Sequence, residues 1–257
     1  MSDVKLVLTD FDGTVAQMGK HIVSERVREA VIACENKGVR MVPITGRYYA
    51  MARPVLEVLG FEDLGIFDNG ASIMNCKTGE LVWSQWMEPE TIRQVAKILA
   101  PAALIIDYTE DHEEHEPADN ELERIELVDS PASHVYALLP VKDMEVATAQ
   151  LAKILGITFY TAISSKANSS GCLGIQVNHE KADKFHGAAA LREMLGIPKE
   201  HTLAIGDGDN DVPLFNNAKY KIAMGNATDL LKDRADHVVA SVDDDGFAEA
   251  MERFVLN

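Results

Sequence analysis

Three things are scarce in this chain. There are only three cysteines, Cys34, Cys76 and Cys172, in 257 residues, and no two stand at a CxxC spacing. This argues against a disulfide framework or a structural zinc site, and we expect a cytoplasmic, reducing environment. Long apolar runs are also missing: none approaches the ~20 residues a membrane span needs. The opening MSDVKL has no basic segment before an apolar one, so we expect neither signal peptide nor membrane anchor. Basic residues are outnumbered, with 24 Lys and Arg against 41 Asp and Glu and a formal net charge of −17. That balance argues against nucleic acid or an anionic membrane surface as partner. A small phosphorylated ligand stays open, because a bound cation and a few basic groups reverse the field locally. A hydrophobic content of 47% with 25% charged residues supplies an ordinary globular core. The length suits one large domain, or a domain with a smaller one inserted.

What is present begins at VKLVLTDFDGT, residues 4–14. The apolar Leu6-Val7-Leu8 reads as a short buried strand that Gly13 ends. Asp10 and Asp12 then stand one residue apart at its carboxyl end, where a parallel α/β sheet binds ligands. Two acids there can share a divalent cation. One can attack phosphorus and the other can move a proton; the residues alone do not assign the two roles. The plain alternative is an Asp-Gly turn.

A helix follows, from the cap candidate Ser24 through Val27, Ala30, Val31 and Cys34 to Gly38. Val39–Ile44 reads as the next strand and ends in Thr45-Gly46-Arg47 at the start of a helix reaching about Leu59. Strand, helix, strand at this spacing is a βαβ unit with parallel strands. Thr45 can hold a phosphate oxygen through its hydroxyl, its N–H and the helix start, or can simply cap the helix. Leu64–Phe67 reads as a third strand, followed by the hairpin signal Asn69-Gly70. A further hairpin is expected over Ser72–Met74 and Glu80–Trp83.

Residues 83–178 change character. Helical pattern at 88–100 and 143–155 alternates with strand-like runs at 104–106, 135–139, 157–160 and 173–177. We expect an α+β unit with a small antiparallel sheet. Within it, residues 107–129 hold eleven carboxylates against Arg124, which reads as a solvated face. His112 and His115 lie in that run, but HEEH lacks the HExxH zinc spacing.

The α/β pattern resumes at 179. Asp183-Lys184 opens a helix ending at Gly196, although a lysine in the first turn opposes the helix dipole. Thr202–Ile205 is a strand running into Gly206-Asp207-Gly208-Asp209-Asn210-Asp211. An EF-hand is one reading, but its helical frame and terminal Glu are missing. A helix pattern at 212–216, a strand at 221–224, the turn Gly225-Asn226-Ala227 and helices at 227–233 and 246–255 complete the chain. The expected fold class is α/β, a Rossmann-like parallel-sheet core domain over 1–82 and 179–257 with an inserted α+β cap domain over 83–178.

Brought to one sheet edge, Asp10, Asp12, Asp207 and Asp211 can bind Mg²⁺. Lys184 offsets repulsion between the carboxylates and a phosphate, and Thr45 orients its oxygens. Phosphoryl transfer requires little beyond such positioning and neutralisation.

These motifs together resemble the haloacid dehalogenase-like (HAD) phosphohydrolases, and among them the Cof-type phosphatases with a large inserted cap. The matching segments are Asp10-Phe11-Asp12-Gly13-Thr14, Thr45-Gly46-Arg47, Lys184 and Gly206–Asp211, with Asn69-Gly70-Ala71 and Met224-Gly225-Asn226-Ala227 also similar. Phe185 follows Lys184 where relatives often carry glycine. The resemblance implies that Asp10 is the nucleophile forming an aspartyl-phosphate and that Asp12 is the acid and base. It implies that Asp10, the Asp12 carbonyl and Asp207 hold Mg²⁺, with Asp211 in support. Thr45, Gly46, Arg47, Asn69, Lys184 and Asn210 are the expected substrate contacts. The substrate is then a small phosphorylated metabolite such as a sugar phosphate, and the cap selects its leaving group. A phosphomutase on the same scaffold is the alternative, and a phospho-accepting signalling module a more distant one.

Overall fold

The computed structural model describes residues 3–17, 22–109, 128–162 and 171–257. Most of the acidic stretch, with His112 and His115, lies outside the described residues. The strands are β1 (Leu6–Thr9), β2 (Arg40–Pro43), β3 (Leu64–Phe67), β4 (Ser72–Asn75), β5 (Leu81–Ser84) and β6 (Ile105–Thr109). They continue with β7 (His134–Pro140), β8 (Ile157–Ala162), β9 (Cys172–His179), β10 (Thr202–Gly206), β11 (Tyr220–Ala223) and β12 (His237–Val238). The helices are α1 (Glu25–Asn36), α2 (Tyr49–Leu59), α3 (Pro89–Leu99), α4 (Val141–Leu151), α5 (Lys184–Leu195), α6 (Asp229–Lys232) and α7 (Gly246–Met251).

The chain divides into two compact units, Met1–Trp83 with Asp183–Asn257, and Ser84–Ala182. In the first, a parallel sheet runs β12-β11-β10-β1-β2. All four residues of β1 are buried, as expected of a central strand covered on both faces. β1 has β2 on one side and β10 on the other, so strand order reverses at β1. The crevice beyond the carboxyl ends at such a reversal is where open α/β sheets bind ligands. Local chemistry fixes the flanking helices. The Ser24 hydroxyl accepts the Val27 N–H at 3.1 Å to start α1, whose Val27, Ala30, Val31 and Cys34 face the core. Asp183 accepts the His186 N–H at 2.8 Å to start α5, and Gly196 ends it in the left-handed region.

β3 leaves the parallel sheet. It meets β2 through one bridge, Ile44 to Ile66, and pairs antiparallel with β4 in a small sheet β3-β4-β5. The second unit is an antiparallel sheet, β6-β7-β9-β8. Val135, Ala137, Ile175 and Val177 of that sheet share a core with Ile92, Val95 and Leu99 of α3 and with Met144, Ala147 and Leu151 of α4.

Some helical expectations shorten. α4 ends at Leu151, because Leu155, which completed the apolar pattern, is 92% exposed and the chain turns before Gly156 at positive φ. The expected helix at 212–216 is instead a pair of 3₁₀ turns, Asp209–Asp211 and Leu214–Asn217, separated by Pro213, which has no N–H to donate. The last helix widens into a π turn over Glu252–Leu256. All three cysteines are unpaired; burial pushes the Cys34 and Cys76 thiols up to about 12, which leaves them inert. Among the described residues, no helix is long and apolar enough to cross a membrane.

The fold makes a direct stability prediction. Leu8 is fully buried in β1, so Leu8→Ala should destabilise the protein by about 3 kcal/mol through lost burial and a cavity. Leu230, 46% exposed, should tolerate alanine within about 0.5 kcal/mol. Urea unfolding of the two variants checks the contrast.

Candidate active site

The site grows from the end of β1. Asp10 still donates its N–H to Ile205 on β10, so it enters the site as a continuation of the sheet. The chain then folds back tightly: the N–H groups of Thr14, Val15 and Ala16 all reach the Phe11 carbonyl, and Gly13 returns a bond to Ala16. Gly13 has φ of +84°, and a Cβ there would lie 2.1 Å from Asp207 Oδ2. No other residue fits this turn while Asp207 holds its place.

Beside it, β2 leads through Ile44 to Thr45, whose N–H bonds Ile66 at 3.0 Å and whose hydroxyl accepts the Arg47 N–H at 3.1 Å. Arg47, 5% exposed, forks onto Asp12: Nε lies 2.8 Å from Oδ2 and Nη2 2.5 Å from Oδ1. The Asp12 side chain is thereby committed to Arg47.

On the other side, β10 delivers Asp207 and the turn to Asp211. Asp211 accepts the N–H groups of Asp207 and Gly208 on Oδ2, each at 3.0 Å, and Lys184 Nζ on Oδ1 at 2.7 Å. A Cβ at Gly206 would meet the Asp211 carboxylate at 2.4 Å, so this turn also depends on a missing side chain. Lys184 bonds Asp10 Oδ1 at 2.5 Å as well. It is 1% exposed, which explains why α5 tolerates a cation at its unfavourable end: the ammonium is held by two carboxylates rather than by solvent.

Asp10, Asp207 and Asp211 each offer an oxygen within 4.8 Å of the others. Burial raises the Asp10 carboxyl well above its ordinary range; Lys184 pulls it down, while Asp211 and Asp207 push it up. Asp207 is pushed up to about 6, by burial first and then by Asp211. Burial favours a neutral Lys184, but Asp10 and Asp211 outweigh that and its amine is raised. Four carboxylates, counting Asp12, face two fixed cations, Lys184 and Arg47. A formal deficit of two positive charges remains, in a donor set made only of oxygen. Such a set suits a hard divalent cation and not a soft metal.

The last side comes from the Asp68–Gly70 turn. Asp68 and Asn69 both take φ near +55°, at 53° and 56°, and Gly70 follows at 111°. The strained turn is held by the Asp68 N–H to Arg47 at 3.0 Å and the Asn69 N–H to Thr45 at 2.9 Å. The Asn69 side-chain oxygen accepts Asn210 Nδ2 at 3.3 Å. A Cβ on Gly46 would touch the Asn69 amide at 3.0 Å, and one on Gly70 would lie 2.0 Å from the Asp183 carbonyl.

The structure thus gathers the residues singled out from sequence along one edge of the first unit. Asp10, Lys184, Asp207 and Asp211 form its centre. Asp12 pairs with Arg47, while Thr45, Gly46, Asn69 and Asn210 form a connected flank. Sequence reading assigned no role to Asn226, whose amide donates to the Gly13 carbonyl at 2.9 Å and to Asp207 Oδ2 at 3.1 Å. The available signal was a Gly-Asn turn after a strand, repeating the pattern of the other site loops.

Comparison with known proteins gives a consistent picture. A family model described as haloacid dehalogenase-like hydrolase matches residues 7–251. The chain is 27% identical over 263 residues to the 5-amino-6-(5-phospho-D-ribitylamino)uracil phosphatase YcsE of Bacillus subtilis (strain 168), covering 99% of this chain and 97% of that protein. It is 24% identical over 270 residues to the phosphoglycolate phosphatase of Methanobrevibacter smithii, covering 99% of this chain and 100% of that one. Its fold is similar to the solved structure of the HAD subclass IIB sugar phosphatase BT4131, with TM-score 0.80, 21% identity, and coverage of 99% and 100%.

The raised Asp207 carboxyl makes the metal-free protein pH-sensitive. The folded state holds this proton up to about pH 6, whereas an unfolded aspartate releases it near ~4. The contribution is therefore fully present below ~4 and is lost as pH rises through 6. In EDTA, the stability of Asp207→Asn relative to wild type should climb between pH 4 and 6 and level off above. Denaturant titrations across that range measure it.

Proposed function

The chain belongs to the haloacid dehalogenase-like hydrolases and is a phosphatase of their Cof-type branch acting on small phosphorylated metabolites; from that premise we propose that it hydrolyses a sugar phosphate or related phosphomonoester with Mg²⁺ through an aspartyl-phosphate. The observation that carries this reading is the cluster of Asp10, Asp207 and Asp211 around one buried lysine. YcsE, phosphoglycolate phosphatase and BT4131 support the substrate class.

In this reading Asp10, the Asp12 carbonyl and Asp207 hold Mg²⁺. Asp211, already bonded to two N–H groups and Lys184, braces the cluster from behind. When bound, the cation neutralises charge on the carboxylates and on the phosphoryl oxygens. Lys184 holds Asp10 in place and adds positive charge beside the incoming phosphate. Thr45 offers its hydroxyl, and Asn210 and Asn69 offer amide groups, to the phosphoryl oxygens.

An Asp10 oxygen attacks phosphorus, and the bond to the ester oxygen breaks. Asp12 gives that oxygen its proton. Water then attacks the aspartyl-phosphate phosphorus as Asp12 takes a proton back, which restores the Asp10 carboxylate and frees inorganic phosphate. Before substrate arrives, Arg47 engages both oxygens of Asp12. An arriving phosphate dianion competes for the same guanidinium, so binding of substrate loosens Asp12 for its role.

Two predictions test this. Asp10→Asn should lower turnover by at least about 10³-fold, because no second group can form the covalent intermediate. Phosphate release from a panel of phosphorylated metabolites, with Mg²⁺ and with EDTA, reads it; wild-type rates in the variant, or full activity in EDTA, would refute the reading. Asp12→Asn should slow alkyl phosphates by roughly 10²–10⁴-fold in the step that forms the intermediate. Aryl phosphates, whose leaving oxygen needs no proton, should be slowed far less in that step, as pre-steady-state bursts would show.

A further inference from the structure

We propose that Asn226 is a positioning residue: it presents Asp207 to the cation through a single oxygen and thereby sets the preference for Mg²⁺ over Ca²⁺. This rests on the reading above that a divalent cation sits among Asp10 and Asp207.

The turn carrying Asn226 has no slack. The Met224 N–H bonds Gly206 at 3.0 Å, and the Gly225 N–H bonds Ala240 at 2.9 Å. A Cβ on Gly225 would lie 2.8 Å from the Ser241 nitrogen, so the turn is pressed against the following segment. From this seat the Asn226 amide reaches three partners. Nδ2 donates to the Gly13 carbonyl at 2.9 Å and to Asp207 Oδ2 at 3.1 Å, and Oδ1 accepts the Val242 N–H at 2.8 Å. These partners fix which way round the amide sits. Reversed, its oxygen would face a carbonyl and a carboxylate, and its NH₂ would face an N–H.

Asp207 Oδ2 is therefore enclosed. Asn226 donates to it from one direction, and the bare Cα of Gly13 lies against it from another, where a Cβ would come within 2.1 Å. The other oxygen remains for the cation. Mg²⁺ accepts single carboxylate oxygens in a strict octahedron at ~2.1 Å, whereas Ca²⁺ takes six to eight oxygens and readily uses both from one carboxylate. Holding Oδ2 closes the two-oxygen mode at Asp207. Freed from the amide, the carboxylate can rotate and offer both oxygens, which favours the larger ion.

The loop does not depend on Asn226 for its path. The Thr228 N–H bonds the Asp207 carbonyl at 3.0 Å and its hydroxyl bonds Asp209 Oδ1 at 2.7 Å, both independent of the amide. Asn226→Ala should therefore fold. Val242→Pro is a second variant, because it removes the N–H that orients the amide and keeps an apolar side chain against the core. Val242 opens a 3₁₀ turn, and Ser241 before it has φ −72° and ψ 167°, a position that accepts a following proline.

The experiment is calorimetric titration of the EDTA-stripped full chain with MgCl₂ and, separately, with CaCl₂, with thermal melts as a check on folding. Wild type should bind Mg²⁺; if it does not, the reading of the site fails and this inference with it. Given that binding, Asn226→Ala should weaken Mg²⁺ by about 10-fold or more. Ca²⁺ should be unchanged or tighter, so the Mg²⁺-to-Ca²⁺ affinity ratio falls by at least that factor. Val242→Pro should shift the ratio in the same direction and by less, and it decides the matter if Asn226→Ala does not fold. Equal weakening of both ions, or no change in either, would overturn the proposal while leaving the site intact.

Discussion

One buried ammonium holds the site together. Lys184 stands between Asp10 and Asp211, out of water, with each partner within hydrogen-bond reach. Taking those three charges out of solvent is unfavourable unless each is compensated. Asp211 is compensated twice more, by the N–H groups of Asp207 and Gly208. Asp10 is not compensated to the same degree, and neither is Asp207, and those two carboxyls are the ones pushed upward. The residual imbalance is located in the carboxylate cluster that could hold a metal ion.

The backbone makes such crowding possible. Parallel strands β1, β2 and β10 end side by side, which brings residues far apart in sequence into one rim. Turns there approach each other at distances only glycine permits: Gly13 against Asp207, and Gly206 against Asp211. The second unit is an antiparallel sheet with two helices and its own apolar core, an insertion into the parallel fold.

Much of this was legible in the sequence, because the relevant signals are short and local. An apolar run followed by Asp-x-Asp-Gly, by Thr-Gly-Arg or by Gly-Asp-Gly-Asp-Asn-Asp marks a strand end whatever lies elsewhere. The misplaced Lys184 was visible as a helix that broke the dipole preference. Pairings between loops were not legible. Nothing in Thr45-Gly46-Arg47 indicates that Arg47 reaches back to Asp12, since that depends on how β1 and β2 align in register. The Asn69-Gly70 hairpin signal held, since β3 and β4 pair antiparallel across it, but the bonds that tie Asp68 and Asn69 to Arg47 and Thr45 were not legible. The helix end at 151 was also missed: the pattern ran on to Leu155, whereas the chain turns away before that residue can be buried.

The close approach of Gly70 to Asp183 has a wider effect. Gly187 lies against Gly70 as well, with room for no methyl between them. The turn bearing Asn69 and the helix bearing Lys184 thus meet backbone to backbone, without a side chain whose rotamer could absorb a shift. The spacing between Asn69 and Lys184 is therefore set by main chain. A methyl group at Gly70 or Gly187 would have to push the two segments apart, so the two positions that carry no side chain govern how near two functional side chains can stand.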